Sequence, residues 1–193
     1  LNEKIGIVGT IGRQEALLST GKEVRPFSRR HYALYRFAEI HNIRAGRFQK
    51  YFGLNDPNHN LYIRRDLGLG QDTESYNLEY SYLGENIGFY LTGLFGNFED
   101  KYSYNQEKGF TFSGSYYWAE KQKVGFSYLK TSDLSQYRDV AGLWAIIAWT
   151  EKLFSMTEID YQNKESKTSG ANQFGYVTSN KLVYEIHKGI LPY

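Results

Sequence analysis

The sequence has no cysteine, only three prolines, one methionine and a net charge of +2, and each shortage removes a class of protein. Without cysteine there are neither disulfides nor thiolate metal sites. The 23 Lys and Arg are dispersed among 21 Asp and Glu, so no basic face marks a nucleic-acid binder. No apolar run reaches the roughly eighteen residues of a membrane helix; the longest stretch is Val140 to Trp149. No signal-peptide pattern stands at Leu1, which leads us to expect a cytosolic chain, a processed mature form or a fragment. Spaced His or carboxylate sets of the kind that hold metals are also missing, and Gly68-x-Gly70 precedes no helix, so no cofactor is expected.

What the sequence does have is aromatic residues: 18 Tyr, 12 Phe and 3 Trp make up 17% of the 193 residues, a bias that favours strands. The length suits a single domain over 1–193. Tyr76 to Phe98 is the clearest stretch. Tyr76, Leu78, Tyr80 and Tyr82 alternate with Asn77, Glu79 and Ser81, the period of a strand with one apolar face. With Glu85-Asn86 as a two-residue loop, folding back pairs Tyr82 with Phe89, Tyr80 with Leu91, Leu78 with Gly93 and Tyr76 with Phe95. The opposite face collects Asn77, Glu79, Ser81, Tyr90 and Thr92. That is too polar for the dry core of a soluble domain, so the question becomes which side of the sheet meets water.

The pattern repeats along the chain. Strands are expected at Lys4 to Gly12, His31 to Ile40, Ile43 to Gly53, Phe110 to Trp118, Val124 to Lys130, Val140 to Thr150, Leu153 to Tyr161 and Phe174 to Ile186. With the Tyr76 hairpin the count is about ten. Val124, Phe126 and Tyr128 match Trp118, Tyr116 and Gly114 across a turn at 120–123. Short turns fall at His41, Glu85, Lys121, Glu151 and His187, and long loops at 13–30, 54–73, 99–108, 131–138 and 162–173. That alternation fits an antiparallel up-and-down transmembrane β-barrel, with tight turns on one side and long loops on the other. Tyr82, Phe89, Trp118, Phe126, Trp149 and Phe154 crowd beside the short turns, where an interfacial girdle would lie.

On YSYLGENIGFYL, GSYYWAEKQKVGFSY and RAGRFQKYFGLNDPNHNLYIRRDLG, the chain resembles Gram-negative outer-membrane β-barrel proteins of the porin type. The likeness covers nearly all of the chain and is specific to the class. It implies an outer-membrane location and passive passage of small hydrophilic solutes or ions through a water-filled lumen, with a loop folded inward to narrow it. The implied partners are outer-membrane lipid and lipopolysaccharide, the solutes themselves, and further copies in a homo-oligomer. Barrels of this class end on a strand closed by an aromatic residue. Tyr193 instead follows Gly189-Ile190-Leu191-Pro192 just after a turn, so a fragment of a larger barrel is expected.

With the aromatic faces toward lipid, the lumen receives Arg36, Arg44, Glu79, Glu158, Asp160, Lys181 and Glu185. Arg64 and Arg65 enter from the long loop as constriction candidates. Facing acids and bases set up a transverse field that screens solutes by charge; the plainer reading is a solvated wall that selects nothing. Val140 to Trp149 sits awkwardly, because Ala141, Leu143, Ile147 and Trp149 are expected to face inward and need a plug, a partner or an oligomer contact to cover them.

Two competing classes remain. An enzyme inside a closed barrel needs a nucleophile, a His base and a carboxylate together; His31, His41 and His187 offer little, and His59 beside Asp56 or Asp66 is the one conceivable site, so no enzyme is expected. A closed barrel with a structural role also belongs here. A soluble lipocalin-like ligand binder inverts every assignment, with aromatics in the core and polar residues outside.

Overall fold

The computed structural model describes residues 4–18, 21–54, 67–70, 73–97, 106–119 and 122–185, with the side chains of 13–18, 21–27 and 29 excepted. It contains ten strands: β1 Ile5–Leu18, β2 Gly21–Phe37, β3 His41–Phe48, β4 Ser75–Leu83, β5 Ile87–Phe95, β6 Lys108–Ala119, β7 Gln122–Ser132, β8 Gln136–Ala148, β9 Leu153–Ser166 and β10 Asn172–Tyr184. All are antiparallel and lie in chain order in one sheet, an all-β up-and-down meander. β1 and β10 are its two edges; the sheet is not closed among the described residues.

The Tyr76 hairpin forms as its pattern dictates. Tyr82 pairs with Phe89, Tyr80 with Leu91 and Leu78 with Gly93. The Gly84 N–H donates to the Ile87 carbonyl at 2.9 Å, closing the loop over Glu85 and Asn86.

Four expectations are corrected. The polar segments 13–30, 131–138 and 162–173 are mostly strand: β1 and β2 run 14 and 17 residues, and β7–β8 and β9–β10 are joined by only 133–135 and 167–171. Between the ten described strands, long connections occur at 49–74 and 96–107 alone. The turn expected at His41 lies at 38–40, where Ala38 and Glu39 adopt left-handed φ of 50° and 51°; Asn or Gly usually marks such a turn, and neither stands there. Across β6 and β7, Tyr116 pairs with Val124 and Gly114 with Phe126, two residues from the expected register, with an irregularity between Tyr117 and Ala119. A slip of two leaves every side chain on its face. Finally, β8 has the opposite parity. Arg138, Val140, Gly142 and Trp144 are buried on one face, while Leu143 and Trp149 are exposed.

Burial is inside out. Among the described residues the buried set holds about twice as many polar or charged side chains as apolar ones, and Ile7, Leu78, Leu91, Phe112, Tyr116, Trp118, Phe126, Leu143, Ile159 and Tyr176 are exposed. On β5 the outward residues Ile87, Phe89, Leu91 and Phe95 span about 26 Å at roughly 3.3 Å per residue. An aromatic line runs across the short-turn end of this outer face. Phe37 stacks on His41 at 5.2 Å between centroids, His41 Nδ1 lies 2.6 Å from the Tyr80 hydroxyl, Tyr82 stacks on Phe89 at 5.6 Å, and Phe89 meets Phe112 at 6.2 Å. Trp118 and Phe126 belong to the same face. Phe154 does not: it shares parity with buried Glu158 and pairs across to buried Val183, so this expected girdle residue is on the inner face.

Candidate functional site

The inner face carries its polar residues in cross-strand rows. One row, followed by register from β4 to β10, is Ser81, Tyr90, Ser113, Ser127, Gly142, Asp160 and Val177. From β6 to β8 its members are Ser, Ser and Gly, which leaves a shallow trough. The connection between β3 and β4 folds into that trough as a strap. Thr111 Oγ1 donates to the Tyr51 carbonyl at 3.0 Å, the Gly53 N–H donates to Ser127 Oγ at 2.9 Å, and the Leu54 N–H approaches Glu158 Oε2 at 3.4 Å. Two glycines permit this approach. Gly53 has φ +60°, and a Cβ on it would fall 1.6 Å from Glu158 Oε1; a Cβ on Gly142 would fall 2.0 Å from Asp160 Oδ1.

Beneath the strap lies a small apolar core of Phe52, Leu67, Leu69, Leu129 and Val140. These residues explain why β8 is apolar on both faces: its inward Val140 meets the strap, and its inward Trp144 covers Gly125 and donates to Ser127 Oγ at 3.3 Å. Arg138 fastens the returning limb. It is fully buried, grips both oxygens of Glu107 with Nε and Nη2, and donates from Nη1 to the Leu67 carbonyl at 2.5 Å. A bidentate pair of this kind holds direction as well as charge.

The other half of the inner face is open. Here a recess of about 360 Å³ is bordered by Tyr32, Arg36, Arg44, Tyr51, Glu79 and Tyr90 among others. Arg44 Nη2 meets Glu79 Oε1 at 2.7 Å, Thr92 Oγ1 donates to Glu79 Oε2 at 2.9 Å, and the Arg44 guanidinium lies 3.8 Å above the Phe48 ring. Arg36 Nε donates to Asn42 Oδ1 at 3.2 Å. Tyr51 stacks on Tyr90 at 3.9 Å and separates the recess from the covered half.

All seven expected wall residues are on the described inner side. Arg36, Arg44 and Glu79 come together at the recess; Glu158 and Asp160 lie under the strap; Lys181 shares the parity of Val177 and Val183 on β10, and Glu185 follows at its end. Arg64 and Arg65 lie outside the described residues, as do Asp56, His59, Asp66 and His187. Reasoning from the sequence missed Arg138, Glu107 and the strap residues Phe52, Leu67 and Leu69. Phe52 falls in the strand expected at Ile43 to Gly53, but β3 ends at Phe48 and 49–53 enter the strap; Leu67 and Leu69 are large apolar side chains in a stretch with no period.

No family model matches the chain, and no curated protein matches it either. Among solved structures, it is similar to OmpTdeltaL8, the loop L8 deletion mutant of OmpT, an outer membrane protein of Vibrio cholerae. The identity is 13%, the TM-score is 0.46, and the match covers 97% of this chain and 78% of that one.

Proposed function

We propose that the chain forms the wall of a water-filled outer-membrane channel, in which small hydrophilic solutes or ions pass by diffusion and the strap narrows the path. The observation that carries this reading is the inside-out burial with a strap laid over the polar face. Exposed aromatic and aliphatic side chains over about 26 Å of strand suit a bilayer of similar apolar thickness, and the aromatic line at the short-turn end suits its interface. A soluble ligand binder would hide that face, and here it is the exposed one. Lipid and lipopolysaccharide are the partners of the outer face, and further copies pack against it in the assembled channel.

The reading includes no catalytic step. Ser28 Oγ lies 3.0 Å from His31 Nδ1, but among the described residues no carboxylate is hydrogen-bonded to that ring, and a nucleophile–base pair needs such a group to orient it. The test is planar-bilayer recording on the full chain, extracted in detergent and refolded, with reversal potentials in a salt gradient. Stepwise conductance is the expected result. A folded, heat-modifiable membrane protein that gives no conductance would refute the channel and leave a closed barrel.

A further inference from the structure

We propose that the recess between β2 and β5 is a binding site for small oxyanions, carboxylates or phosphates, borne by the solutes that enter the lumen. The proposal rests on the channel reading for access from water and adds to it a class of solute.

The recess carries surplus positive charge. Among the described residues, three guanidinium groups, Arg30, Arg36 and Arg44, border the recess, and Glu79 is the one carboxylate in its lining. Arg30 is 3.5 Å from Glu74, outside the recess, and Arg44 is matched to Glu79. Arg36 therefore gives the surplus positive charge. Its Nε is engaged by a neutral amide oxygen, and its side chain is otherwise exposed to the recess. Arg44 adds a second demand: its Nε is buried and has no hydrogen-bond acceptor. That Nε is closed to solvent, so an oxyanion in the recess meets the part of the Arg44 side chain that remains exposed and offsets its charge there.

The surroundings fix geometry as well as charge. Arg44 lies 3.8 Å over the Phe48 ring and 5.2 Å from the Tyr32 ring, and those two rings meet edge to face at 5.6 Å, so aromatic contacts and the Glu79 ion pair position it before any ligand arrives. The stacked Tyr51–Tyr90 pair forms a flat wall beside it, suited to the body of a sugar or a short carbon chain. About 360 Å³ falls in the range of small-molecule sites.

The experiment is calorimetric titration of the refolded full chain in detergent with inorganic phosphate, with sodium gluconate and, as a neutral control, with glucose. Either anion binding without glucose binding is expected, phosphate alone marking a free inorganic anion and gluconate a carboxylated solute. Arg36→Gln should weaken binding about tenfold, the loss of one charge-assisted bond. The double variant Arg44→Gln with Glu79→Gln removes the second guanidinium without orphaning its acid, and it should weaken binding further. Lys152→Gln, in the exposed β8–β9 turn, should bind as the parent does. Binding of neither anion, or equal binding by the parent and Arg36→Gln, overturns the site. Bilayer recordings separate the two readings: conductance without anion binding keeps the channel and removes the site, whereas anion binding without conductance keeps the site and removes the channel.

Discussion

Glu79 on β4 and Glu158 on β9 point from the same face of one sheet, yet they live under different conditions. Glu79 borders open space and is balanced by a partly exposed arginine and a threonine hydroxyl. Glu158 is covered by the backbone of Gly53 and Leu54, with Phe52 packed nearby against Leu129 and Val140. The chain has closed one half of its polar wall with its own strap and left the other half to water. Polar residues on one face of a sheet thus carry no single role: their effect depends on what the irregular segments lay over them.

The contrast can be broken first at its firmest point. Arg138→Ala would leave Glu107 buried without its guanidinium and free the Leu67 carbonyl. A loss of about 4 kcal/mol is expected, read from the urea midpoint of the refolded protein, with partial recovery in Arg138→Met combined with Glu107→Gln. Phe52→Ala empties the centre of the covered half and should cost about 3 kcal/mol, with increased cleavage of the strap by added protease. Gly53→Ala meets both a left-handed φ and the Glu158 carboxylate; about 2 kcal/mol is expected, together with a larger single-channel conductance as the strap is pushed out of its trough. On the open side, Glu79→Gln should cost only about 1 kcal/mol, because water can reach Arg44. A cost equal to that of Arg138→Ala would erase the distinction between the halves.

A similarly small effect, which fades at low pH, lies outside both halves, in the β7–β8 connection. Burial opposes ionisation of Asp133, but bonds from the Ser135 N–H and hydroxyl and from Gln136 outweigh it and hold the carboxyl below its ordinary range. A lowered folded-state value stabilises the fold above the ordinary carboxylate pKa, and that contribution is lost as pH falls. Asp133→Asn should therefore destabilise by about 1 kcal/mol at pH 7 and by less at pH 3, measured by the same urea unfolding.

Wherever a strand has one apolar and one polar face, the sequence could be read. The Tyr82–Phe89 register follows from alternation, and so do the inward positions of Glu79, Asp160 and Lys181. Residues 13–30 show no alternation and look like a loop, although they pair in β1 and β2. On β8 the failure has the opposite origin. The strap gives the inner face apolar partners and the outer face is apolar as well, so Val140 and Leu143 look alike and parity is lost. Arg138 was hidden for a related reason: its acceptors, Glu107 and Leu67, come from connections whose path no periodicity describes.

The strap's contacts also impose an order on assembly. Gly53 meets Ser127 across 74 residues of chain, Leu54 meets Glu158 across 104, and Leu67 meets Arg138 across 71, whereas every strand in the sheet pairs with its immediate neighbours in sequence. The hairpins can zip locally, but the trough does not exist until β6 to β9 stand side by side. Closing so long a loop before its receptor forms would cost entropy with no return. Strap docking therefore depends on strands that are far from it in sequence, and any change that delays the pairing of β6 to β9 delays the covering of the inner face as well.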